Sequence, residues 1–100
     1  MAANGQTKEQ AKNKVKLPKQ YQVLIYNDDF TPMDFVVEVL VEVFNKEEAA
    51  AVALMMSIHK GNYAVAGVYP RDIARTKAAE TVQWARSKGY PLKAEAVCQP

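Results

Sequence analysis

Leu24-Ile25-Tyr26-Asn27-Asp28-Asp29-Phe30-Thr31-Pro32-Met33 decides how this chain folds. A β-prone run ends in three consecutive side-chain acceptors, and a helix start follows within four residues. Upstream, Tyr21, Val23 and Ile25 alternate with Gln22, Leu24 and Tyr26, which predicts a first strand over residues 20–27 with both faces at least partly covered. Downstream, Thr31 offers a hydroxyl to cap, Pro32 suits the first helical position and Asp34 is acidic at the third, the chemistry that satisfies orphan amides. Phe35, Val36, Val39, Leu40 and Val43 then form one apolar stripe.

Asn45-Lys46-Glu47-Glu48 repeats the capping logic, so the Ala-rich run to His59 is expected to be a second helix, with Gly61 as its left-handed cap. The short link at Phe44 and Asn45 implies a helical hairpin. Residues 63–69 have β-propensity, with Gly67 weakening their middle. Pro70 opens a third helix to about Lys88, Gly89 is its stop signal, and residues 92–98 alternate as a last, edge strand. The expected fold is therefore α+β in the order β-α-α-β-α-β, a small antiparallel three-stranded sheet with three helices packed on it.

One hundred residues with 49% hydrophobic composition suffice for one domain with a modest core. Residues 1–17 carry Lys8, Lys12, Lys14 and Lys16 against Glu9 and lack any apolar period, so they read as a flexible N-terminal extension before a domain at 18–100. The net charge of +2 divides into +3 on that extension and −1 on the rest, which gives the folded part no basic face for nucleic acid. Cys98 is the only cysteine, excluding an intramolecular disulfide and fitting a reducing compartment. No signal-peptide pattern and no run of about 20 apolar residues is present, so a cytoplasmic protein without membrane contact is expected.

Asn27, Asp28 and Asp29 are ordinary turn residues, whose side chains bond nearby backbone amides. Part of the cluster can instead be left over for a ligand amine. His59, the only histidine, falls in the last turn of the second helix, where the helix dipole favours it. Taken with the acceptor cluster, its imidazole becomes a further acceptor for an α-ammonium, which has three donors. One histidine and two adjacent carboxylates lack the spaced ligands of a zinc site, and nothing places Cys98 beside His59 as a nucleophile, so no metal, cofactor or catalytic residue is expected. Met33, Val36, Met55 and Leu92 come from three different elements and read from periodicity simply as core.

The run Asn27-Asp28-Asp29-aromatic-Thr31-Pro32-Met33, with Met55-Met56-Ser57-Ile58-His59 and Thr76-Lys77 further on, resembles ClpS, the adaptors that carry N-degron substrates to Clp unfoldases. The resemblance spans about residues 17–92. It implies a protein without enzymatic activity in which Asn27 and His59 hold the free α-amine of a substrate and Asp28 contacts the backbone just behind it. It further implies that Asp29, Thr31, Met33, Val36, Met55, Ile58 and Leu92 shape a pocket for a bulky first side chain, Phe, Tyr, Trp or Leu. Met33 takes the position of a gate against β-branched residues, and Ile58 stands where the family often has Val. Methionine suits a pocket that must adapt to several shapes. Asp72 and Lys77 correspond to the contact with the N-terminal domain of a ClpA/ClpC-type AAA+ unfoldase, and the extension to a segment used in handing substrate over. Two alternatives stand beside this one: a small hydrolase using Asp28, Asp29 and His59, and a structural interaction domain resembling the C-terminal domain of the ribosomal stalk protein.

Overall fold

Val23 and Ile25 lie two residues apart, so the strand's alternation sends both side chains to one face, and both are wholly buried. Gln22, Leu24 and Tyr26 face the other way and are half-buried. In the computed structural model, which describes residues 19–100, this strand is β1 (Gln20–Tyr26). It is followed by α1 (Met33–Glu42), α2 (Glu48–Gly61), β2 (Tyr63–Pro70), α3 (Arg71–Ser87) and β3 (Lys93–Cys98). The extension expected at 1–17, and the boundary at Pro18, lie outside the described residues.

The sheet is antiparallel, in the order β2-β1-β3, so the strand read first is central and both others are edges. The α+β order expected from the sequence is the one found. Helix α3 lies across all three strands, α2 packs on β2, and α1 packs on α2. The core between them is one cluster of Val23, Ile25, Phe35, Val36, Val39, Leu40, Phe44, Ile58, Leu92 and small alanines. Burying each of the larger side chains is worth about 1.5–3 kcal/mol, which is what draws α1 and α2 onto the sheet layer. On the outer face Tyr26 packs near Tyr63, lies under the Lys93 ammonium and donates to Glu95. That bond to a carboxylate, foremost, raises the Tyr26 phenol above its usual pKa.

The helix boundaries fall where expected, but the chemistry at their ends differs. Pro32 is the residue before α1 rather than its first member, and no side chain caps the helix; Phe35 and Val36 donate instead to the Pro32 carbonyl. Thr31 is unavailable as a cap because its hydroxyl donates to Asp28 Oδ2 at 2.8 Å. No side chain caps α2 either, and Asn45 serves the link by taking φ 57°, which lets Lys46 N–H reach the Leu40 carbonyl. At the end of α2 the left-handed residue is Asn62 (φ 75°), not Gly61, which stays helical. Asn is the non-glycine residue best able to adopt that conformation. Gly89 does have the expected positive φ of 81°, and behind it Tyr90 N–H bonds the Ala85 carbonyl.

Gly67 has a role that strand propensity does not show. The pairing with β1 shifts at this point, since Val23 faces Gly67 and Leu24 faces Val65, which leaves Ala66 as the extra residue of a bulge. The missing Cβ makes room for the Tyr69 ring, whose Cζ lies 2.6 Å from where that atom would be. Tyr69 in turn packs against Phe44 and under the Lys77 ammonium. Gly67→Ala should therefore displace Tyr69 and lower stability by about 1–3 kcal/mol, read as a shifted denaturant midpoint. Tyr69→Ala in that background should cost far less than it does alone, because the contact is already broken.

Candidate functional site

The β1–α1 junction is built around Asp28. Its Oδ1 accepts the backbone N–H groups of Phe30 (2.8 Å) and Thr31 (2.7 Å), while Oδ2 takes the Thr31 hydroxyl. This is an Asx-type turn, so the ordinary reading of an Asn-Asp-Asp run holds for its middle member. It does not hold for Asn27. The backbone N–H of Asn27 donates to the Asn62 carbonyl at 2.7 Å, which ties the junction to the end of α2. Its side chain is exposed and makes no hydrogen bond among the described residues.

His59 lies in the last turn of α2, exposed and likewise without a hydrogen bond among the described residues. The tether from Asn27 to Asn62 thus brings two free side chains to the same end of one helix. That end presents unpaired carbonyls and the negative pole of the helix dipole, and the exposed Asp29 and half-buried Asp28 stand at the junction. The arrangement favours a cation with several N–H donors.

The pocket residues divide into two groups. Val36, Ile58 and Leu92 are buried in the core cluster, and Met55 packs against it. Met33 stands outside the cluster at 43% exposure, and together with Met55 it lines a groove of about 640 Å³ between α1 and α2. Thr31 is half-buried and held by Asp28.

Sequence reasoning missed the residues that position Leu92. Arg86 Nη1 donates to the Tyr90 carbonyl at 2.7 Å and to the Leu92 carbonyl at 2.9 Å, clamping the segment between α3 and β3. Phe35 fixes the same segment from α1, edge-on to Trp84 and to Tyr90. The signal was faint: a late basic residue in α3 reads only as a helix-end charge. Phe30 was also passed over, although it is 78% exposed and fixed by its N–H bond to Asp28.

The two α3 residues differ in their surroundings. Asp72 is exposed and forms an ion pair with Arg71 at 3.6 Å. Lys77 is half-buried, donates to the Val43 carbonyl at 2.7 Å just past α1, and lies over the rings of Phe44 and Tyr69. Both border a cleft of about 280 Å³ with Ile73, Thr76 and Glu80.

The family model described as ATP-dependent Clp protease adaptor protein ClpS matches residues 16–95. The chain belongs to the ClpS family. Among its relatives, the ClpS adapter of Clostridium acetobutylicum is 50% identical over 82 residues, 82% of this chain and 81% of that protein. The ClpS adapter of Hydrogenovibrio crunogenus is 47% identical over 92 residues, covering 92% and 88% of the two chains. The fold matches the structure of Agrobacterium tumefaciens ClpS2 bound to L-phenylalaninamide with a TM-score of 0.81 and 40% identity, over 83% of this chain and 100% of that one. As a ClpS protein the chain is an adaptor of the Clp protease and not an enzyme, which retires the hydrolase and stalk-like alternatives. No helix among the described residues is long and apolar enough to cross a membrane.

Proposed function

We propose that this ClpS protein binds the free amino terminus of polypeptides that begin with Phe, Tyr, Trp or Leu and delivers them to a ClpA/ClpC-type AAA+ unfoldase. The observation that carries this reading is the pair of unengaged side chains, Asn27 and His59, at the carbonyl end of α2. An α-ammonium supplies three donors for such acceptors. The ligand of the Agrobacterium relative, L-phenylalaninamide, has the chemistry of a single N-terminal residue, a free amine beside an aromatic side chain.

In this reading Asn27 and His59 take the amine, and Asp28 accepts from the backbone N–H behind it. The first side chain enters between Met33 and Met55 toward Val36, Ile58 and Leu92, with Asp29 and Thr31 at the rim. Met33 excludes side chains branched at Cβ. Asp72 and Lys77, beside the exposed Ile73, form the contact with the N-terminal domain of the unfoldase. The substrate-binding domain is 18–100, residues 1–17 serve the handover, and the adaptor works in the cytoplasm, where the exposed Cys98 stays reduced.

Burial of one large apolar side chain contributes about 1.5–3 kcal/mol and each charge-assisted hydrogen bond about 1.5–3 more. Set against the cost of association, that leaves micromolar affinity, about −8 kcal/mol, which suits an adaptor that must release its cargo. Fluorescence anisotropy of labelled peptides tests the reading. Peptides beginning with free Phe or Leu should bind, the N-acetylated Phe peptide should not, and a Val peptide should be clearly weaker. Absence of binding by any of them would overturn the function and leave the fold.

A further inference from the structure

The apolar pattern of α1 exceeds what its packing uses. Phe35, Val36, Val39 and Leu40 are buried, yet Val37 and Val41 on another side remain only half-buried. With Val52 of α2, 41% exposed, they form the apolar lining of the 640 Å³ groove that Met33 and Met55 also border.

The polar lining of that groove is wholly acidic: Asp34, Glu38 and Glu42 from α1 and Glu48 from α2, with no lysine or arginine. None of the four forms an ion pair among the described residues. Asp34 and Glu48 sit in first helical turns, where the helix dipole accounts for a carboxylate. Glu38 has no such account, and Glu42 lies in the last turn of α1, the end at which the dipole disfavours an acid.

We propose that this groove receives the stretch of substrate behind its first residue and selects extended segments with Lys or Arg at alternate positions. The inference rests on the N-terminal reading above, because Met33 and Met55, which border the groove, are also the residues between which that reading passes the first side chain. Spacing supports an extended occupant. Asp34, Glu38 and Glu42 recur every four residues, about 6 Å along a helix, and alternate side chains of an extended chain lie about 6.6–6.8 Å apart. Charge supplies the sign, and the apolar lining accommodates the methylene stems of Lys and Arg.

The test uses the full chain and anisotropy with peptides that all begin with free Phe and carry Lys, Gln or Glu at the third, fifth and seventh positions. The Lys peptide should bind about tenfold more tightly than the Glu peptide, with Gln between them, from three exposed charge pairs. The spread should shrink as salt shortens the screening length. The double variant Glu38→Gln with Glu42→Gln should bring the three peptides to within about twofold of one another. Equal affinities in the unmodified protein would overturn the groove proposal while leaving the N-terminal reading intact, whereas no binding by any peptide would remove that reading itself. An order that survives in the double variant would assign the preference to the carboxylates of the junction, and so overturn the proposal. So would a double variant that changes the sedimentation of the protein but not the peptide order, since the groove would then seat a second copy of the chain.

Discussion

Asn27→Ala is expected to weaken binding of a peptide beginning with free Phe by about ten- to a hundredfold, the value of one hydrogen bond to a charged group. The protein should melt within about 0.5 kcal/mol of the original. The prediction is sharp because the fold uses the Asn27 backbone and not its side chain. Its N–H is bound to the Asn62 carbonyl, and that bond survives the substitution. The amide group is exposed and makes no hydrogen bond among the described residues, so its removal leaves no buried group unpaired. A loss of affinity without a loss of stability is then a loss of contact. The N-acetylated peptide, which has no ammonium to offer, provides the second arm of a cycle, and its residual binding should be the same to both proteins. Equal affinity of both proteins for the free Phe peptide would take Asn27 out of the site.

The sequence carried the element order because each element has its own period: alternation in β1, the apolar stripe in α1, and Gly89 after α3. The ends of elements were less legible, for a physical reason. A hydroxyl or a carboxylate near a helix start has several partners within reach, and which one it takes depends on where the chain comes from. Thr31 could have capped α1, but Asp28 lies within the same turn and takes the hydroxyl, so the helix starts without a side-chain cap. Gly61 and Asn62 both tolerate positive φ, and propensity favours Gly; Asn62 takes it instead, and its carbonyl receives Asn27. The site was legible as residue types but not as engagement. Nothing in Asn27-Asp28-Asp29 says that the middle carboxylate is occupied by its own turn while the first side chain is free. Arg86 escaped notice because both its carbonyl partners lie beyond the helix that carries it.

Asp28 brings that distinction to experiment. Its carboxylate has about four acceptor sites, and three are filled by Phe30 N–H, Thr31 N–H and the Thr31 hydroxyl. One site on Oδ2 is left for a substrate N–H. Asp28→Ala should therefore do two things at once. It frees the turn that sets Asn27 on one side and Met33 on the other, costing about 1–3 kcal/mol of stability, and it removes the substrate contact. Affinity for the free Phe peptide should fall about a hundredfold, since a binding surface that must be ordered first is a weaker one. Asp28→Asn separates the two contributions. An amide oxygen can still accept both backbone N–H groups, and the amide nitrogen can donate to the Thr31 oxygen, so the melting temperature should return to near its original value. The nitrogen cannot accept from a substrate N–H, so affinity should stay about tenfold low. If Asp28→Asn instead restores affinity along with stability, Asp28 is a turn residue alone, and the grip on the substrate backbone belongs to another group at the junction.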